Sequence, residues 1–242
     1  MKKIFAPVFA AILLGACGKE KTNLHITGNI EGLKKGTLYL QKIDSSTFVK
    51  IDSMVIDGDA HFKFNTYIES PEMIYLSLEK ADGIANNDLL EVFAEPGEMT
   101  INTTRNYFIA EAKVEGSESH NKLIEYKKMI SKFTDLNLNY LKESLNASKK
   151  GDSVTFDSLQ DLSEKNAKRR YLYTLNFILN NKDSYLAPYL ALTETYNARL
   201  KYLDSINNTL TERVSNSKYG KELDDYIKTI REQEKQNDSI QE

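Results

Sequence analysis

Cys17 is the only cysteine of the 242-residue chain, and its thiol is the most nucleophilic side chain that the sequence offers. A single cysteine excludes an internal disulfide, a CxxC redox pair and a zinc site built from several cysteines. The residue lies close behind a basic start, Met1-Lys2-Lys3, and an apolar run from Ile4 to Leu14. That order is typical of a secretion signal. The run is shorter than the roughly 20 residues that a membrane-spanning helix needs.

The residues Leu14-Gly15-Ala16-Cys17 resemble the lipobox of bacterial lipoproteins, in which an aliphatic and two small residues precede a lipid-modified cysteine. The alternative is an ordinary buried cysteine at the end of an apolar segment. We expect residues 1–16 to be a lipoprotein signal peptide, Cys17 to carry diacylglycerol and a fatty acid such as palmitate, and residues 17–23 to be a lipidated tether. Gly18, in place of aspartate, resembles lipoproteins of the outer membrane. The expected location is therefore the cell envelope, at the outer membrane, facing the periplasm or the cell surface.

Three histidines could serve as acid, base or metal ligand: His25, His61 and His120. No HxH or HExxH spacing occurs, so the sequence predicts no metal site, no cofactor and no catalytic residue. We expect each histidine to be an ordinary surface or edge residue. His120, at the start of a helix, is the one expected to matter, through a contact at that helix start.

Ser53 follows Asp52, but no base accompanies the pair and the sequence has no G-x-S-x-G motif. The favoured interpretation is a strand-edge or turn residue hydrogen-bonded by Asp52. An Asp-Ser pair followed by an aliphatic residue or methionine also resembles a short O-glycosylation acceptor pattern of some envelope bacteria. The candidates for this modification are Ser239, in the polar C-terminal segment, and Ser53. The same pattern recurs at Ser158 and Ser205.

Tyrosines crowd the C-terminal half of the chain. Their polar-tipped rings could form an interface or a glycan-stacking groove, but the favoured interpretation is that they fill a helical core that has no tryptophan. The basic triplet Lys168-Arg169-Arg170 is interpreted as one solvated helix face. The tyrosines in question are Tyr171, Tyr173, Tyr185, Tyr189, Tyr196 and Tyr202.

The overall composition, 40% hydrophobic and 28% charged, is that of an ordinary folded protein. A formal net charge of -3 and a pI near 5.8 argue against nucleic acid as a partner. Residues 24–116 alternate short apolar runs with turn residues, which predicts eight strands in an antiparallel β-sandwich. In His61-Phe62-Lys63-Phe64-Asn65 the two phenylalanines share one face, so we expect Phe62 and Phe64 in the core.

From residue 117 the apolar period changes to three and four, which predicts a helical domain over 117–235 and a polar tail over 236–242. The predicted fold class is α+β, with the N-terminal sandwich followed by a helical bundle segment. A second helix is expected to start near Val154, after a stop at Lys149-Lys150-Gly151. The residues expected on the buried stripes are Leu123, Tyr126, Ile130, Phe133, Leu141 and Leu145 in the first helix and Leu159, Leu162, Leu172, Leu175 and Leu179 in the second.

Several ordered motifs together resemble the domain-of-unknown-function 4369 family. They include Ile26-Thr27-Gly28, Asp57-Gly58, Phe62-Lys63-Phe64 and Glu95-Pro96-Gly97-Glu98, and the likeness continues through Glu115-Gly116-Ser117 to Ser217-Lys218-Tyr219-Gly220. The resemblance implies an envelope lipoprotein of a family whose domain commonly precedes a thioredoxin-like domain.

No residues of this sequence match the CxxC motif of that thioredoxin-like domain. We therefore expect a lipid-anchored binding or scaffold module without catalytic activity, attached to the membrane through its N-terminal lipid. The alternative is an accessory subunit of a thiol-disulfide or peroxide redox system, acting with a separate thioredoxin-like partner. Its partners would then be envelope proteins of that system.

Overall fold

The computed structural model describes residues 21–44, 46–81 and 88–241, with side chains described as far as residue 236. Cys17 and the signal segment lie outside the described residues. The first part of the described chain forms eight strands. They are β1 (Leu24–Glu31), β2 (Lys35–Asp44), β3 (Thr47–Asp57), β4 (His61–Thr66), β5 (Glu72–Lys80), β6 (Asp88–Ala94), β7 (Gly97–Thr104) and β8 (Lys113–Glu115).

The strands form two four-stranded sheets. Sheet A has the order β4-β1-β7-β8 and sheet B the order β3-β2-β5-β6. All neighbouring strands are antiparallel except β1 and β7, which run parallel with Leu24 opposite Gly97. The predicted α+β class, a sandwich followed by helices, is confirmed, with this one parallel pair inside a largely antiparallel architecture.

Alternating side chains of the two sheets fill the sandwich core. Phe62 and Phe64 are both buried, as predicted, with ring centroids 5.9 Å apart. Gly28 lies opposite Phe62 in β1, where a Cβ atom would lie 1.8 Å from the carbonyl oxygen of Ile101. Only glycine lets the strands and the Phe62 ring approach this closely.

The remaining chain is helical. Ser117 caps α1 by accepting a hydrogen bond from the His120 amide, and Asp152 caps α2 by accepting one from Thr155, so the second helix starts where the sequence predicts. The last helix continues to Gln241, through the segment expected to be a polar tail. The helices are α1 (Glu118–Lys149), α2 (Ser153–Asn180), α3 (Leu186–Glu194), α4 (Leu200–Thr209), α5 (Glu212–Ser215) and α6 (Lys218–Gln241).

The helices form a second apolar core against the outer face of sheet B. Met73 and Tyr75 of β5 and Phe93 of β6 belong to this core, and α1 and α3 contribute Leu123 and Leu190. Sheet B is therefore buried on both faces over these strands.

Residues 131–169, the distal parts of α1 and α2 with the turn between them, extend away from this core as a two-helix arm. None of these residues, all of which the structure describes, belongs to either hydrophobic core cluster. The expected burial of both leucine stripes is therefore wrong in part. The apolar period of α1 continues past Ile130, but no third element among the described residues packs on it there. Three leucines of the arm that were expected in the core are exposed, Leu141, Leu145 and Leu162, and so are Leu172 and Leu179 of α2 beyond the arm.

Candidate functional site

Few of the site residues suggested by the sequence can be placed at a site. The predicted lipidation residue, Cys17, lies outside the described residues. Ser239 lies in α6, within the segment whose side chains are not described. Ser53 is exposed in the middle of edge strand β3, where its amide donates to Asp52 Oδ1 at 2.7 Å. This is the strand-edge role that the sequence favours, and the exposed hydroxyl leaves glycosylation open as a prediction.

His61 is exposed and His25 is partly exposed, and their Nδ1 atoms lie 2.7 Å from Asp59 Oδ1 and 2.8 Å from Asn65 Oδ1 respectively. The expectation of an ordinary surface residue is wrong for His120, which is only 3% exposed. Its local sequence, Glu118-Ser119-His120-Asn121, is polar and gives no sign of burial. The helix start places it against β6 nonetheless.

His120 holds the first turn of α1 on the end of β6. Its Nδ1 accepts a hydrogen bond from the Phe93 amide at 3.3 Å, while Ser117 Oγ donates to the Phe93 carbonyl at 2.7 Å. Burial, together with the positive charge of Lys127, lowers the pKa of His120 to about 4. The contact at the helix start is thus real, and it requires a neutral imidazole whose Nδ1 is an acceptor.

The structure predicts that His120 makes the protein less stable in mild acid. Because its pKa is about 4 in the folded state and 6.5 as a model value, the unfolded chain binds more protons between these two pH values. The stabilisation is fully present above pH 6.5 and is lost as the pH falls towards 4, by up to about 3 kcal/mol. Urea unfolding of wild type and His120→Gln across this range should show a shallower pH dependence for the variant. His25→Gln, which removes a partly exposed histidine outside this contact, is the control. Parallel curves for wild type and His120→Gln would contradict this role.

The tyrosines of the helical half largely follow the favoured interpretation. Tyr171, Tyr173, Tyr185 and Tyr189 are half-buried and pack against the helical core, whereas Tyr196 and Tyr202 are exposed. One of them, Tyr189, also lines an open cavity. The basic triplet at 168–170 is exposed, and Arg170 pairs with Glu194 of α3 at 2.8 Å.

A groove of about 340 Å³ opens where the helical cover of sheet B ends. Its floor is Met73 and Tyr75 of β5, and the β2–β3 hairpin forms one wall with Ile43. Phe48, 47% exposed, packs edge-on against Tyr75 with ring centroids 5.1 Å apart. We call this cavity the junction groove. The other wall is formed by α3 and α6, and the lining residues are Ile43, Asp44, Met73, Tyr75, Tyr189, Thr193, Lys218, Tyr219 and Glu222.

The rigid side of the junction groove is the start of α6. Lys218 forms an ion pair with Glu72, whose side chain is buried, and the Lys218 amide donates to Ser70 Oγ at 2.9 Å. The Met73 amide donates to the Tyr219 hydroxyl at 3.0 Å. These three links join α6 to the start of β5 across the groove, and a buried pair of this kind is costly to break.

The groove combines aromatic rings with three charged side chains, those of Asp44, Lys218 and Glu222. The rings of Tyr189 and Tyr219 pack at 5.0 Å, and Phe93 contacts Tyr189 at 5.7 Å. Burial raises the pKa of Tyr189 and of Tyr219. Burial also raises the pKa of Glu222, and the positive charge of Lys218 offsets only part of this effect. At neutral pH the phenols are therefore uncharged. A groove that places polar groups beside aromatic rings has the form of a binding site.

Two larger cavities lie nearby. One, of about 590 Å³, lies on the other side of Lys218 and is lined mostly by polar side chains, and one of about 700 Å³ lies along the outer edges of β3 and β4. The junction groove is the one of the three lined by several aromatic rings.

Among the described residues, no three or more His, Cys, Asp or Glu side chains form a cluster suited to a metal ion. In the same part of the chain, no helix is both long and apolar enough to cross a membrane.

Comparison with protein families gives one match, to the model of a domain of unknown function, DUF4369, over residues 24–123. Residues 24–123 belong to the DUF4369 family. The resemblance seen in the sequence is thereby confirmed over these residues. Comparisons with curated proteins and with solved structures give no match.

The DUF4369 domain contains all eight strands and the first turns of α1. It supplies the floor of the junction groove and the hairpin wall, whereas Tyr189, Lys218, Tyr219 and Glu222 lie beyond the matched residues. The groove is thus built where the family domain meets the helices that follow it. Sequence reasoning missed it because its walls come from segments about 145 residues apart in the chain, as Met73 and Tyr219 show.

Proposed function

We propose that this chain is a lipid-anchored cell-envelope protein, and that its folded part is a binding or scaffold module without catalytic activity. The junction groove supports the binding role. It is open, aromatic and bordered by the exposed ring of Phe48, and α6 is held against it by the Glu72–Lys218 pair. A volume of about 340 Å³ accommodates a few side chains of a partner protein, so we propose a polypeptide segment of an envelope protein as its ligand.

The proposed anchor is a lipid on Cys17, at the outer membrane. The supporting observation is the sequence Leu14-Gly15-Ala16-Cys17 behind a basic and apolar leader. Because β1 begins at Leu24, only a short segment would separate the lipid from the sandwich. The DUF4369 domain would then be held next to the membrane. Each buried methylene of the acyl chains contributes about 0.8 kcal/mol to the free energy of membrane binding.

The intact mass of the protein purified from envelope membranes tests the anchor. We expect cleavage before Cys17 and added mass equal to diacylglycerol plus a fatty acid. Cys17→Ser should stay uncleaved and lose the added mass. A membrane-derived protein with an unmodified cysteine would contradict the proposal. Additional mass in hexose-sized steps would indicate glycosylation, which Ser239→Ala and Ser53→Ala would assign.

The alternative function is an accessory subunit of a thiol-disulfide or peroxide redox system. It is favoured by the DUF4369 match, since the family resemblance implies association with thioredoxin-like domains. In that case the junction groove would receive a separate thioredoxin-like protein. Both functions require a partner at the same groove, so the identity of the partner distinguishes them.

Site-specific photo-crosslinking in intact cells tests the groove. A photoreactive phenylalanine analogue at Phe48 is expected to give discrete crosslinked products, because this ring borders the groove. The matched control is the same analogue at Val55, which is 73% exposed on the same strand and about 20 Å further along it. A thioredoxin-like partner in the Phe48 product would favour the alternative function. Equal products at both positions, or none at Phe48, would contradict a binding groove.

A further inference from the structure

We propose that the two-helix arm, residues 131–169, pairs with the arm of a second copy of this chain, and that the two α1 helices run antiparallel about a two-fold axis. The contact surface is the leucine stripe, which we define as Leu138, Leu141 and Leu145 of α1. The inference concerns a different surface from the junction groove and does not depend on the proposed function.

The leucine stripe is exposed along its length. Leu138, Leu141 and Leu145 are 58%, 55% and 53% exposed, although leucine is among the residues most often buried. Their spacing of three and four residues places them on one face of α1, in the pattern of a coiled-coil seam. A row of this kind buries apolar area only when another helix lies along it.

The arm is also incompletely packed within itself. Phe133 of α1 packs against Tyr173 of α2 with ring centroids 5.9 Å apart, yet Phe133, Leu136 and Leu159 all remain partly exposed. Asn166 of α2 is buried instead, and its amide donates to Asn137 Oδ1 at 2.7 Å and to the Phe133 carbonyl at 2.8 Å. A buried amide pair fixes the register of two helices but contributes little apolar burial. Four helices, two from each copy, would complete the bundle.

The charges beside the stripe select a second copy as the partner. Asp135 and Lys142 lie seven residues apart on the same flank of the stripe, and neither forms an ion pair with any described residue. In an antiparallel pair with Leu138 opposite Leu141 of the second copy, Asp135 comes within about 3 Å, along the helix axis, of Lys142 of that copy. The two-fold axis repeats this contact, so each copy supplies one acid and one base. A single-sign membrane surface would match only one of them.

Molar mass measured by light scattering and sedimentation, on the chain from Gly18 onward, tests the pairing. This chain contains every residue that the structure describes. We expect wild type to be a dimer at high micromolar concentration. Leu141→Glu should raise the dissociation constant by about 100-fold or more, because it places a charge in the seam. Val154→Glu is the matched control, since Val154 is 79% exposed in the same arm but lies outside the stripe.

A charge exchange tests the antiparallel register. Asp135→Lys alone places lysine against lysine, and Lys142→Asp alone places aspartate against aspartate, so each should weaken the dimer by about tenfold. The double variant Asp135→Lys/Lys142→Asp restores both contacts, so its dissociation constant should lie within about threefold of the wild-type value. Circular dichroism on each variant establishes that the helices are intact.

Three results would overturn the proposal. The first is a wild-type protein that stays monomeric throughout the concentration range. The second is a dimer that Leu141→Glu and Val154→Glu weaken equally. The third is a double variant whose dissociation constant rises by the product of the factors for the two single variants. Binding of the wild-type monomer to anionic phospholipid vesicles through the stripe would assign the surface to a membrane instead.

Discussion

The structure depends on one constraint: sheet B is apolar on both faces where β5 and β6 pass through it. The side chains of Ile74, Leu76 and Leu78 face the sandwich core, and Met73 and Tyr75 face the helices. The inner face is buried against sheet A. The outer face is buried by helices that follow the sandwich in the chain, so α1, α3 and α6 are part of what makes the DUF4369 domain stable here.

The junction groove is a consequence of where that cover ends. Lys218 and Tyr219 attach the start of α6 to Ser70 and to the start of β5. The helical cover of sheet B ends at this point. The β2–β3 hairpin extends past this point, and Phe48 covers Tyr75 only from one side. An aromatic surface is therefore left open between a rigid helix start and a hairpin. The same combination of rigid frame and partial cover occurs in many binding sites.

Local patterns in the sequence predict the elements well and their partners less well. Phe62 and Phe64 alternate with polar residues, and Asp152 follows a glycine stop, so both the strand and the helix start could be predicted. The parallel pairing of β1 with β7 depends on contacts far apart in the chain. His120 lies in a polar segment that gives no sign of its burial. The nearly continuous apolar run Met73 to Leu78 was the available signal for a sheet covered on both faces, since a half-exposed strand alternates.

Native-state hydrogen exchange tests whether the helices and the sandwich are one cooperative unit joined across sheet B. The slowest amides of β5, α3 and α6 should open with the same free energy, within about 1 kcal/mol of global unfolding. A single cooperative unit would be contradicted if α3 and α6 exchanged through a separate, lower-energy opening while β5 kept the full protection of a sandwich that is stable by itself.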